Sequence, residues 1–158
     1  MNLSTRALAL SFVVFFCGTL ASVASAAERP HLVKVEDLPK WWVVADADDA
    51  QVPPNGKNLT APTCAAVSFR INRGGTISDV KLEKIVPEGD LSQVAVSSIR
   101  ALHYVAAAQN VGKDPVYTYQ ILLFNAPDVK ANPGLFAEKQ RIYNQCKLED
   151  FKLPASLM

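Results

Sequence analysis

The feature that most constrains the fold is a pair of alternating segments on either side of two glycines. Residues 67–71 alternate apolar and polar side chains, and residues 76–83 resume the alternation, which is the period of a strand with one buried face. Gly74 and Gly75 lie between the two segments and supply the positive φ that a tight hairpin turn requires. The sequence therefore predicts a β-hairpin at the centre of the fold.

The chain after the hairpin predicts a helix, a strand and a second helix. Apolar residues recur at spacings of three and four from residue 91 to about residue 107, which indicates an amphipathic helix. Residues 116–124 are the most β-prone stretch, and a last helix is predicted from about residue 133 to residue 147. The predicted class is α+β, with a ββαβ core whose small antiparallel sheet packs on one main helix, and with an extra C-terminal helix.

The N-terminus predicts export. Arg6 is followed by an uncharged apolar core over residues 7–20, and small residues then end in an A-x-A site at Ala26; this is the pattern of a cleavable signal peptide. The core is shorter than the ~20 apolar residues that span a bilayer, although a retained membrane anchor is the alternative. We expect cleavage after about Ala26 and a periplasmic or secreted protein.

The remaining chain is long enough for one compact domain with extensions at both ends. Residues 27–62 contain five prolines and are predicted to be an irregular N-terminal segment. Residues 63–126 form the predicted domain, and residues 127–158 a C-terminal helical extension. Trp41 and Trp42 are expected to pack on the domain, with a role in gripping a ligand as the alternative.

The charge balance excludes two classes of partner. The full sequence has 16 Lys and Arg against 15 Asp and Glu, and removing Arg6 with the signal peptide leaves 15 against 15, a net charge of zero. A nucleic-acid binder needs a basic face, and a polybasic membrane-surface protein needs the same excess. We therefore expect neither nucleic acid nor a membrane surface as the partner.

The sequence predicts a non-enzymatic protein without a cofactor or a metal. It contains no nucleophile elbow, Walker loop or zinc-protease motif. His31 and His103 are far apart, and His103 is expected to be a partly exposed residue at a helix end rather than a catalyst.

Two cysteines remain outside the signal peptide, Cys64 and Cys146. In an oxidising compartment an isolated pair predicts one disulfide, and closing so long a loop is expected to stabilise the fold by about 4 kcal/mol. The alternative, a reactive or metal-binding pair, lacks C-x-x-C spacing and nearby histidines.

The hairpin sequence resembles a known family. Residues 67–80, VSFRINRGGTISDV, are similar to the pattern V-x-F-x-[IV]-x-x-x-G-x-[IV]-x-[DN]-V of TonB C-terminal domains. An amphipathic helix with Tyr104 near its end, a turn over residues 112–116 and a last strand that closes on Phe124 follow in the same order. The long proline-rich spacer and the Y-P-x-x-A segment of TonB proteins are missing.

This resemblance implies a bacterial periplasmic setting and a sheet that accepts another strand. In TonB domains the partner peptide pairs with the last strand, so the implied partner-binding residues are those on one face of that strand: Tyr117, Tyr119, Ile121 and Leu123. The implied function is a binding module for a protein or peptide of the cell envelope, with an outer-membrane receptor as one candidate and a homodimer left open.

Two alternatives to this function stay open. The last strand could be covered by the chain itself, which would make this a structural or inhibitory envelope protein. If the N-terminal segment is retained as an anchor, a membrane-anchored energy transducer of the TonB type is the other alternative.

Overall fold

The computed structural model describes residues 28–49 and 59–158; the predicted signal peptide lies outside the described residues. None of the described helices is long and apolar enough to cross a membrane. In chain order the main elements are β1 (His31–Leu32), α1 (Leu38–Trp41), β2 (Trp42–Ala47), β3 (Thr63–Ile71), β4 (Ile77–Val86), α2 (Leu91–Arg100), β5 (Leu102–Ala106), β6 (Val116–Phe124) and α3 (Phe136–Gln145), with short 3₁₀ turns at Pro133–Leu135 and Ala155–Leu157.

The main sheet has four strands in the order β1-β6-β3-β4. β3 and β4 form the predicted hairpin, with Ile71 opposite Ile77 next to the turn. β6 runs antiparallel to β3 along its whole length. α2 and β5 form the connection from β4 to β6. β1 pairs with the first two residues of β6 in parallel, so the predicted antiparallel arrangement holds for β4, β3 and β6 and is wrong for β1.

The helix that was predicted to reach residue 107 ends at Arg100, and that part of the prediction is wrong. Leu102–Ala106 is instead β5, which pairs with β2 to form a second, two-stranded sheet. Aromatic and β-branched residues such as Tyr104 and Val105 fit a pleated strand well, and β2 supplies the backbone partners that decide the outcome. The segment predicted to be irregular thus contributes β1, α1 and β2.

The two faces of the main sheet carry different layers. α2 packs on β3 and β4, and the second sheet lies on the same side; the core there is built around Val67, Phe69, Ile71, Ile99 and Trp42. α3 packs on the other face, around Ile142. The predicted α+β class is confirmed.

The two tryptophans have packing roles, as expected. Trp42 is 2 % exposed, and its indole Nε1 donates a hydrogen bond to the backbone carbonyl of Asp114 at 3.0 Å. The ring of Trp41 lies 5.0 Å from the ring of His31. Trp42 therefore fastens the N-terminal segment to the domain, and Trp41 packs against the margin of the main core, as amphipathic aromatic groups commonly do.

The turn of the hairpin joins the two sheets. Gly75 has φ +79°, and its carbonyl accepts a hydrogen bond from the amide of Tyr104 in β5 at 3.0 Å. A Cβ at Gly75 would lie 1.8 Å from the Tyr104 carbonyl oxygen, so no side chain fits there. Tyr104 itself is buried, and burial raises the pKa of its phenol to about 12.

The predicted disulfide is confirmed. Cys64 and Cys146 are bonded, with their Cα atoms 5.9 Å apart, and both side chains are fully buried. The bond joins the start of β3 to the end of α3, and Ala66 and Ile142 pack beside it. α3 is therefore held covalently on its face of the main sheet.

Candidate strand-binding edge

Two of the outer strands in the described part of the chain, β4 and β2, carry features that block the addition of another strand. β4 is one edge of the main sheet, and its pairing with β3 is interrupted by two register shifts. Its residues include Lys81, Glu83 and Lys84, and Asp79 has φ +53°. Bulges and charges of this kind disfavour pairing with a new strand.

The outer edge of β2 is blocked in a similar way. The pairing of β2 with β5 shifts register between Val44 and Asp46. Asp46 puts a charge inside the strand, and Asp48 and Asp49 follow it. An added strand would meet both the irregular backbone and the acidic side chains.

Residues 118–124 of β6, which we call the open edge, have neither a bulge nor a charge. β1 covers only Val116 and Tyr117, and residues 118–124 have no strand neighbour on that side among residues 28–49 and 59–158. The pairing of β6 with β3 is regular from end to end, and no residue of β6 is ionisable apart from its two tyrosines.

The open edge has a defined end. Asn125 has φ +50°, and its side-chain amide donates hydrogen bonds to the carbonyl oxygens of Leu59 and Ala61 at 2.6 and 3.1 Å. The chain therefore turns out of the sheet directly after Phe124.

The register identifies which backbone groups of the open edge point outwards. The amide of Val33 donates to the carbonyl of Tyr117 at 3.0 Å on the side away from β3. In an antiparallel ladder the direction alternates with every residue. The N–H and C=O groups of Tyr119, Ile121 and Leu123 therefore point away from β3. No described backbone group outside β6 is hydrogen-bonded to these three residues.

The side chains of the four predicted partner-binding residues lie on one face, and the chain itself largely covers that face. Tyr117 is 3 % exposed, and its hydroxyl donates to Ser68 Oγ at 2.9 Å. The ring of Phe151 lies 5.3 Å from that of Tyr117 and 4.8 Å from that of Tyr119. Ile121 and Leu123 are half-buried beside the disulfide. Partner contact by these four side chains stays a prediction, and backbone pairing is the contact that the arrangement leaves available.

The opposite face of the open edge is also apolar. Leu122 and Phe124 are half-buried and pack at the margin of the core on the α2 side. Gln120, between them and Thr118, is the only amide side chain of the strand. A strand added here would lie between two apolar margins, so apolar side chains on the added strand would gain burial on both faces.

Charged groups hold the segment before β1 in place at the other end of β6. Arg73 forms a bidentate ion pair with Glu28, and the hydrogen bond from Arg73 lowers the pKa of the Glu28 carboxyl. Arg70 Nη2 donates to the Glu28 carbonyl at 3.0 Å. These contacts fix β1 against Val116 and Tyr117, which sets the boundary of the open edge.

Burial raises the pKa of Tyr143 in α3, and the charges of Glu36 and Tyr119 act in the same direction. In the described ranges, no three His, Cys, Asp or Glu side chains are grouped to hold a metal ion.

Sequence reasoning identified β6 but not the part of it that is free. Residues 116–124 carry no charge, whereas residues 81, 83 and 84 are charged, and this difference between the two strands is visible in the sequence. The sequence does not predict which backbone groups of β6 point towards β3 and which point away, because this depends on the pairing with β3 and β1. Comparisons with family models, curated proteins and solved structures give no match to this chain.

Proposed function

We propose that this chain is a non-enzymatic binding module of the cell envelope that takes up an extended segment of a partner protein along the open edge of β6. The observation that carries the proposal is the contrast between edges: β4 and β2 are bulged and charged, whereas residues 118–124 are regular and uncharged. An edge strand of this kind binds a peptide by backbone hydrogen bonds.

The geometry supports recognition by shape and apolarity rather than by charge. Tyr119, Ile121 and Leu123 offer outward backbone groups, so the partner segment needs to be extended and free of proline where it bonds to them. Leu122 and Phe124 flank the edge on one face and the α3 layer flanks it on the other. A partner segment with apolar side chains on both of its faces fits this edge.

The resemblance to TonB C-terminal domains supports the same strand, because the partner-binding strand of that family is the last strand of the resembling stretch, and β6 is the last strand of this chain's corresponding stretch. The ββαβ identity of the core, export to the periplasm and an envelope partner such as an outer-membrane receptor are parts of this proposal. An anchored TonB-type energy transducer is the alternative if the N-terminal segment is retained.

A specific observation favours a second candidate, a self-covered structural or inhibitory protein. Phe151 stacks on Tyr117 and Tyr119, so the chain occupies the face that a partner's side chains would otherwise enter. The two candidates differ at the backbone, because only strand addition requires the outward amides of Tyr119, Ile121 and Leu123 to be free.

A charge at the centre of the open edge tests strand addition. Gln120 pairs with Val67 and bonds inwards to β3, so Gln120→Lys leaves the ladder to β3 intact, whereas proline would break it. We expect peptides selected from a displayed library of short random sequences to bind Gln120→Lys at least about tenfold more weakly than the unaltered protein, as measured by calorimetry.

The matched control is Gln120→Thr, which keeps an uncharged β-forming residue at the same position. It is expected to bind the selected peptides with unchanged affinity. Equal affinity for all three proteins, or failure of the library to yield any peptide that slows exchange of the outward amides, would reject strand addition.

A further inference from the structure

The segment after α3 lies on the main sheet without being hydrogen-bonded to it. Residues 147–154 belong to no helix or strand. Within the described ranges, no hydrogen bond or ion pair joins residues 148–158 to any other part of the chain. Side-chain packing therefore holds these residues in place, and we call residues 148–158 the cover segment.

Two side chains anchor the cover segment on the face of β6 that carries Tyr117 and Tyr119. Leu148 packs beside the disulfide, and the ring of Phe151 lies nearly parallel to that of Tyr117, with 13° between the ring planes. An open groove of about 730 Å³ lies between the cover segment and β4, so the segment does not pack closely on that strand. A segment held in this way can leave the sheet at a low cost in free energy.

The surface under the cover segment is ordered by contacts that do not involve the segment. The Tyr117 hydroxyl donates to Ser68 Oγ, and the Ser68 hydroxyl donates to Glu83 Oε1 at 2.8 Å. Lys81 Nζ lies 2.9 Å from Glu83 Oε2. These contacts and the pairing of β6 with β3 keep the Tyr117 ring in place when Phe151 leaves. A surface that is ordered in advance binds a new side chain without a further ordering cost of its own.

We propose that Phe151 occupies a binding site for an aromatic side chain of a partner protein, and that the partner displaces the cover segment. The chain's own residues show what the site accepts, which is an irregular segment with a leucine and, three residues later, an aromatic ring. The groove beside the ring is lined by charges of both signs, among them Asp79 and Lys84 of β4. A partner segment with an aromatic residue between an acidic and a basic neighbour therefore fits, as Phe151 lies between Asp150 and Lys152.

The cover segment competes with such a partner. This site goes beyond strand addition, because it uses side chains on one face of β6 and not the backbone of the open edge. The cover segment is tethered next to the site and is therefore present at a high effective concentration. The apparent affinity for a partner is reduced by the fraction of molecules in which the site is free. That fraction is small, because Tyr117 is buried beneath Phe151.

A peptide with the sequence of residues 147–154, KLEDFKLP, tests the inference. We expect it to bind the Phe151→Ala variant at least about tenfold more tightly than the unaltered protein, as measured by calorimetry. The same peptide with alanine in place of its phenylalanine is expected to lose this binding. Phe136→Ala is the matched control variant, because Phe136 is 62 % exposed and its removal should leave the affinity unchanged. Equal affinity for the unaltered and Phe151→Ala proteins, or equal binding of the two peptides, would overturn the inference.

Nuclear magnetic resonance of the Tyr117 and Tyr119 rings covers the case in which Phe151→Ala fails to fold. Phe151→Leu keeps an apolar side chain and removes the ring that stacks on the two tyrosines. The ring signals of Tyr117 and Tyr119 are expected to shift in this variant and to return towards their original positions when the peptide is added. Ring signals that the peptide does not move would overturn the inference.

The two proposals fail separately. Tighter binding of the peptide to Phe151→Ala, without any selected peptide that slows exchange of the outward amides of β6, rejects strand addition alone. Selected peptides that slow this exchange, without a gain of affinity in Phe151→Ala, reject displacement of the cover segment alone.

Discussion

Replacing both disulfide cysteines with alanine is expected to lower the free energy of unfolding by about 4.5 kcal/mol. The bond closes a loop with a sequence separation of 82, and opening it returns that conformational entropy to the unfolded chain. The Cys64→Ala, Cys146→Ala double variant, compared with the unaltered protein in urea unfolding, gives the value directly.

The loss of stability is expected to differ between parts of the protein. α3 is held on the sheet by the disulfide and by the small cluster around Ile142, whereas α2 packs on the main core. Amide exchange in Phe136–Gln145 should therefore speed up far more than in Leu91–Arg100. The unaltered protein in a reducing agent serves as the control and should behave like the double variant. A change in stability below about 1 kcal/mol would show that the cross-link contributes little here.

Gly75→Ala is expected to destabilise the protein by roughly 3 to 5 kcal/mol. The added Cβ would lie 1.8 Å from the backbone carbonyl oxygen of Tyr104, and the backbone at φ +79° disfavours any residue with a side chain. Relief requires β5 to move away from the hairpin turn, which breaks the hydrogen bond from Tyr104 to Gly75. Urea unfolding measures the loss.

The neighbouring glycine supplies a matched control. A Cβ at Gly74 meets no atom within 4 Å, so Gly74→Ala is expected to change stability by less than about 1 kcal/mol. Equal effects of the two substitutions would contradict the close approach of β5 to Gly75.

The hairpin and the turn could be predicted because their signals are local. Alternation of period two fixes the strand type, and a glycine at the turn fixes its backbone. The disulfide could be predicted for a different reason: only two cysteines remain after the predicted signal peptide, and an exporting sequence favours their oxidation.

β5 and β1 could not be predicted because their partners are distant in sequence. Residues 91–107 carry a helical stripe, yet Leu102–Ala106 pairs with Trp42–Ala47, and this non-local ladder outweighs the local preference. β1 has only two residues, too few for any periodicity, and its place follows from its pairing with Val116 and Tyr117.

The candidate site could be predicted only in part, because some of its features also depend on contacts between residues distant in sequence. The strand over residues 116–124 and the common face of Tyr117, Tyr119, Ile121 and Leu123 follow from β-propensity and alternation. Coverage of that face by Phe151 depends on the path of the C-terminal segment. The freedom of the backbone edge depends on where β1 stops, and neither feature has a local sequence signal.

Residue-resolved amide exchange of β6 in dilute protein tests the central claim most directly. If residues 118–124 are an open edge, the amides of Tyr119, Ile121 and Leu123 exchange fast, while those of Thr118, Gln120 and Leu122 exchange slowly because they bond to β3. Slow exchange at all six positions in dilute protein would mean that the edge is already closed, and would contradict strand addition at β6.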